Sequence, residues 1–139
     1  MIDITNNTSL HINENILNDI VESLTDKDIE LLIVNEKEIQ EINFEQRNIN
    51  KSTDVLSFPL QEMPYAPLGS IVVSEHHVKI KAEEFKHTQG EEFTLLFIHG
   101  LLHLLGFDHE VDDGLMREKE KELISKFNLP NSLIVRTQG

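Results

Sequence analysis

Three of the chain's seven histidines fall within eleven residues, His99-Gly-Leu-Leu-His103-Leu-Leu-Gly106-Phe-Asp108-His109. Residues four apart on an α-helix are offset by about 40° around the axis and about 6 Å along it, so their side chains converge. A histidine pair at that spacing is a standard helical grip for zinc. Gly106 follows His103 by three residues, and glycine at a helix end adopts the left-handed conformation that reverses the chain. Such a turn would return His109 toward the pair. His99, His103 and His109 are therefore the candidate metal ligands. Three neutral imidazoles leave a tetrahedral ion one position for water, which marks a catalytic rather than a structural centre. From Leu95 to Leu105 the two histidines are the only polar side chains, so this helix should be buried. Buried imidazoles need partners, and one metal ion would serve both. The competing reading is a hydrogen-bonded pair of core histidines with His109 exposed. His11, His76, His77 and His87 read as surface residues.

The rest of the chain has to position that segment. Its 139 residues are expected to form one domain, 1–139, large enough for a real core. No apolar run is long enough for a membrane span, and Met1-Ile-Asp-Ile-Thr lacks the basic start and apolar block of a signal peptide. A cytoplasmic protein is the expectation. With no cysteine, disulfides and thiolate ligands are excluded, so a transition metal must be held by histidine and carboxylate. The formal net charge of −13 argues against a general nucleic-acid binder, which needs clustered Lys and Arg, but leaves room for a local basic pocket. The acidic residues gather in 26–45 and 110–122, and both stretches read as solvated helix surface.

Hydrophobic periodicity gives the elements. Met1–Thr5 alternates as a short strand. Asn13 caps a helix carrying Ile16, Leu17, Ile20, Val21 and Leu24. Glu30–Val34 is a buried strand. Asn35, with Glu38 three residues on, opens a second helix with Ile39 and Ile42. Thr53–Phe58 is a strand that must stop near Pro59, and Gly69–Val73 is the next. Ser74 caps a third helix to about Lys86. Gly90 breaks the chain before a fourth helix, Glu91–Leu105, and Asp112 or Asp113 caps a fifth that runs to about Phe127. The closing run of helices with no strand between them favours an α+β fold, a small mixed sheet of roughly four strands packed with roughly five helices, over a doubly wound one.

The spacing H-x-x-x-H-x-x-G-x-x-H resembles that of the metzincin proteases. Those enzymes carry a general-base Glu after the first histidine, where this chain has Gly100. A peptidase of that type would lack its proton acceptor. The stretch His99–His109 instead resembles the YbeY family of bacterial ribosomal RNA maturation factors at every fixed position of the signature H-G-x-L-H-L-x-G-[YF]-D-H. A second block of that family, an Arg followed by T-[DN]-V-L-S-F-P, is matched by Arg47 and Thr53-Asp-Val-Leu-Ser-Phe-Pro59. The likeness covers nearly the whole chain. One departure is Gly69-Ser70-Ile71, where members often have Gly-Asp-Ile, so no carboxylate is available at position 70.

The resemblance implies a zincin-like metal helix and a zinc-dependent, single-strand-specific endoribonuclease, with one Zn2+ per chain. It implies a role in 16S rRNA 3′-end maturation and in ribosome biogenesis and quality control. The partners implied are single-stranded ribosomal RNA and the small ribosomal subunit or ribosome-associated proteins, with no membrane. Zinc on three histidines lowers the pKa of bound water to about 7, so hydrolysis does not require the missing Glu. The family match makes Arg47 the catalytic candidate, since a guanidinium binds phosphate oxygens bidentately. Asp108 is a candidate acceptor orienting a histidine, or a turn former. Strand alternation from Thr53 would keep Asp54 and Ser57 from facing one cleft together. Lys79 and Lys86 share a helix face that offers a modest RNA track or an ordinary solvated surface; Lys81 lies off that face. Two alternatives remain: a ribosome-binding assembly factor with a mainly structural metal, and a metallohydrolase acting on another substrate.

Overall fold

The computed structural model describes residues 2–60, 67–107 and 114–130. Its element order is β1 (Ile2–Asn6), α1 (Glu14–Leu24), β2 (Ile29–Val34), α2 (Glu36–Arg47), β3 (Val55–Pro59), β4 (Gly69–Ser74), α3 (Glu75–Phe85), α4 (Gln89–Leu104) and α5 (Leu115–Lys126). The four strands form one mixed sheet in the order β1-β2-β4-β3. β1, β2 and β4 are parallel, and β3 runs antiparallel along the edge of β4. The α+β architecture expected from the sequence is the one observed.

Local chemistry accounts for the helix starts. The side chains of Asn13, Asn35 and Ser74 accept from the first-turn N–H groups of α1, α2 and α3, which satisfies donors that a helix cannot pair internally. The fourth helix begins earlier than Gly90 suggests. Thr88 caps it and Glu91 closes a reciprocal capping box, so Gly90 sits inside the first turn. Helix α5 starts after Gly114 with no side-chain cap bond, and Asp112 and Asp113 lie outside the described residues.

The sheet is covered on both faces. Leu31, Ile33, Ile71 and Val73 belong to the larger core, with Leu17 and Ile20 of α1, Phe97 and Leu101 of α4 and Leu123 of α5. Val34, Leu56 and Val72 turn the other way and meet Ile39 of α2. Eleven of the sixteen residues of α4 are buried, each large apolar side chain contributing about 1.5–3 kcal/mol. Pro59 pairs with Gly69 as the last residue of β3, a place where a missing N–H is tolerated because the strand is an edge.

Candidate active site

Helix α4 crosses the sheet closely at one residue. A Cβ on Gly100 would lie 3.0 Å from Ile71 Cγ2, 3.1 Å from Ser57 Oγ and 3.2 Å from Val55 Cγ2. Position 100 therefore faces the sheet, and a side chain there would push its neighbours by a few tenths of an ångström. Ser57 Oγ donates to the Gly100 carbonyl at 2.9 Å, tying β3 to α4 at the same point. With Gly100 directed inward, its neighbour His99 and, one turn on, His103 sit at the sheet's edge, both partly buried.

The end of α4 is a Schellman turn. Gly106 N–H donates to His103 O and Phe107 N–H to Leu102 O, both at 3.0 Å, and Gly106 has φ +98°, a left-handed value suited to glycine. The turn has a direct effect on the first His pair: it brings the Phe107 carbonyl to 3.0 Å from His103 Nδ1. A carbonyl only accepts, so His103 carries a proton on Nδ1, and the neutral ring then presents a lone pair at Nε2. His99 is oriented from another helix, with Nδ1 3.2 Å from Glu120 Oε1. Glu120 is 2% exposed, and when its carboxylate accepts, His99 Nε2 also presents a lone pair.

The two Nε2 atoms stand 3.1 Å apart on rings at 79° to one another. Two lone pairs aimed at each other at this distance repel, and a cation bound to both removes the repulsion. The donor set, two imidazoles each held through Nδ1 by an oxygen acceptor, fits a transition metal, whose histidine ligands are typically oriented this way. Among the described residues no group of three His, Cys, Asp or Glu side chains gathers around one point. His109, the third expected ligand, and Asp108 lie outside the described residues.

His99 and His103 open into a cleft of about 440 Å3 that is also lined by Arg47, Asp54, Val55, Leu56, Ser57 and Pro59. Arg47 ends α2 on one side of the sheet, α4 packs on the other, and β3 runs between them. Thus the cleft brings Arg47 to the histidine pair from the opposite face. Asp54 and Ser57 both line it, contrary to the alternation expected. Asp54 lies just before β3, its Oδ1 accepting from Val55 N–H at 2.8 Å. The cleft lies at the edge of the sheet, where Leu56 lines it as well as Val55 and Ser57, so it meets residues of both strand faces.

Several surface assignments change. Glu120 belongs to the acidic stretch expected to be solvated, yet it is buried and bonded to His99. The one signal for it is the helical spacing of Met116, Glu120, Leu123 and Ile124, the buried stripe of α5, although which face of α5 packs inward is set by tertiary contacts. His87 is also not a surface residue: its side chain is 4% exposed and Nδ1 lies 3.3 Å from the fully buried Glu92. His76 is exposed and paired with Glu36. His77 is half-buried, its Nδ1 2.9 Å from Ser74 Oγ. Lys79 and Lys81 pair with Glu75 and Glu84, and none of Lys79, Lys81 or Lys86 lines the cleft.

The family profile described as Endoribonuclease YbeY matches residues 2–128. The chain belongs to that family. An Endoribonuclease YbeY of Sulfurimonas denitrificans is 58% identical over 139 residues, covering 100% of both chains. One of Aliarcobacter butzleri is 61% identical over 140 residues, covering 98% of this chain and 99% of its own. The solution structure of a Thermotoga maritima protein, 32% identical, superimposes with a TM-score of 0.63 over 91% of this chain and 89% of that one. No described helix is long and apolar enough to cross a membrane.

Proposed function

We infer that this YbeY-family chain cuts single-stranded RNA at a metal centre in the cleft between α4, β3 and the end of α2. The chain is an endoribonuclease, a hydrolase of RNA phosphodiesters, as its family and its relatives' shared name support. We assign zinc as the metal, one ion per chain, held by His99, His103 and His109, and a single domain spanning 1–139. Its substrate is ribosomal RNA, with the 3′ end of 16S rRNA as the site of action, in the cytoplasm and in company with the small subunit. The resemblance in the His99–His109 and Arg47–Pro59 blocks supports this assignment. The single observation that carries the reading is the convergence of Arg47 with His99 and His103 on one cleft.

When bound, zinc supplies a hydroxide near neutral pH and polarises a phosphoryl oxygen. The chain's own residues do the rest. Phe107 O and Glu120 fix the Nδ1 protons of His103 and His99, so both Nε2 lone pairs point into the cleft. Arg47 faces them with a cation that binds non-bridging phosphate oxygens and offsets the charge that develops on them. Gly100, packed on the sheet, offers no carboxylate, which removes the protease alternative.

The test is cleavage of single-stranded and duplex oligoribonucleotides by purified protein, with metal content measured on the same sample. Wild type should hold about one zinc and cut the single strand, and Arg47→Ala should keep the metal while losing about 10²–10³ in kcat. Equal activity in wild type, Arg47→Ala and His99→Ala would refute the assignment.

A further inference from the structure

The free edge of the sheet runs along the cleft, and hydrogen-bond parity decides which backbone groups it offers. In an antiparallel pair, alternate residues turn both N–H and C=O to the partner strand, and the others turn them away. Ser74 N–H donates to Asp54 O at 2.9 Å and Leu60 N–H to Leu68 O at 3.2 Å, two residues flanking β3 that keep its register with β4. Residues 54, 56, 58 and 60 therefore face β4, and Val55, Ser57 and Pro59 face outward. All three of these outward residues line the cleft.

Two of the three cannot donate to a ligand. Val55 N–H is already bonded to Asp54 Oδ1 at 2.8 Å, and Pro59 has no N–H. What remains is the Ser57 N–H. Ser57 is anchored through its Oγ to the Gly100 carbonyl, the residue between the first histidine and the sheet, so the donor is held at a fixed place relative to the histidine pair. Arg47 approaches from the other face of the sheet. An extended peptide added to an edge strand needs donors and acceptors alternating over several residues. This edge supplies one donor in a cleft that Arg47 also lines, which suits a single anionic oxygen.

We propose that the Ser57 main-chain N–H binds a non-bridging phosphate oxygen of the RNA, and that Asp54 and Pro59 restrict the edge to this one donor, so that it selects a phosphodiester over a peptide. The proposal rests on the endoribonuclease reading above. It makes Ser57 a substrate-positioning residue through its backbone, with the side chain serving only to hold that backbone against α4.

Amide resonances of the zinc-loaded full chain test it, titrated with inorganic phosphate and then with a single-stranded 2′-deoxy oligonucleotide. The Ser57 amide proton should move downfield together with the Arg47 Nε–H, while Val55, held by Asp54, stays in place. In Asp54→Ala the Val55 amide should join the shift. Replacing the Ser57 amide by an ester, which deletes the N–H and weakens the Leu56 carbonyl that faces β4, should lower kcat/KM for RNA about ten- to a hundredfold at unchanged zinc content, the loss expected for one hydrogen bond to a charged group. Shifts at Arg47 and His99 with Ser57 unmoved, or an ester variant as active as wild type, would overturn this inference and leave the RNA reading standing. If neither probe moves any cleft resonance, both fail. An extended hexapeptide that shifts Val55 and Ser57 together would overturn the selectivity.

Discussion

Among the described residues, two histidines pair with buried glutamates, and the pairs differ in how far the ring is enclosed. His99 Nδ1 lies 3.2 Å from Glu120 Oε1, and His87 Nδ1 lies 3.3 Å from Glu92 Oε2. Both carboxylates are buried, at 2% and 0% exposure. The His99 side chain, however, is 27% exposed, against 4% for His87, and its second nitrogen meets another imidazole at the mouth of a cleft. The same pairing thus serves two ends. Where the ring is enclosed, it satisfies polar groups in the interior. Where the ring's far nitrogen opens to a cleft, it is aimed at the place where the proposed metal would sit.

The strongest way to break this contrast is to remove one imidazole from each place. His103→Ala should lose the bound zinc and RNA cleavage together, falling to background. His87→Gln should leave zinc content and cleavage per folded molecule unchanged. Metal analysis and a single-turnover assay on both proteins decide it, and an inactive but folded His87→Gln protein would show that the enclosed pair also serves the site.

The carboxylates sharpen it next. Glu120→Ala should weaken zinc binding by about 10–100-fold, the usual effect of losing an orienting partner of a ligand. Glu92→Ala should leave zinc affinity alone and cost about 1–3 kcal/mol of stability through an unsatisfied buried group. A chelator competition and a urea titration on each variant separate the two. Equal zinc affinities for Glu120→Ala and wild type would reduce Glu120 to a packing residue.

Gly100 tests whether the cleft pair depends on the close crossing of α4 and the sheet. Gly100→Ala places a methyl 3.0–3.2 Å from Ile71, Ser57 and Val55, tighter than ordinary contact, and should cost about 1–3 kcal/mol by overpacking. It should also lengthen the Ser57–Gly100 hydrogen bond and lower kcat more than it raises KM. An undiminished melting temperature would mean that the helix shifts freely, and with it the histidines.

How much of this was legible in sequence follows the same division. The α4 segment was readable because an apolar run with two polar residues one turn apart admits few other structures. Asn13, Asn35 and Ser74 were readable as caps because their side chains act on backbone within three residues. Thr88 was overlooked in favour of Gly90, although Thr88-x-x-Glu91 has capping-box spacing. The residues that complete the site were harder. Glu120 lies in a run of charges, and its burial depends on which face of α5 meets α4, a tertiary fact. The enclosure of His87 likewise depends on how α3 is joined to α4. The antiparallel placement of β3 at the edge, which puts Ser57 in the cleft, follows from strand order rather than from any period in the chain.

His77 offers a third kind of histidine, partnered by a hydroxyl, and gives the smallest expected effect. Ser74 Oγ accepts from His77 N–H and lies 2.9 Å from Nδ1, so the hydroxyl can partner the ring as donor or as acceptor. Burial holds the imidazole below its usual value of 6.5, and His76 and Lys81 add to this against the pull of Asp54 and Glu36. A base whose folded pKa is depressed binds fewer protons folded than unfolded just below 6.5. Its contribution is therefore fully present above that pH and is lost as pH falls through 6.5 toward the lower folded value. Urea midpoints measured between pH 7.5 and pH 5 should fall less steeply in His77→Gln than in wild type. His77 does not line the cleft, so RNA cleavage at pH 7.5 should be equal in the two proteins. Parallel curves would mean that the ring gains a proton without losing its hydroxyl partner, and that a serine can stand where the other two histidines have a carboxylate.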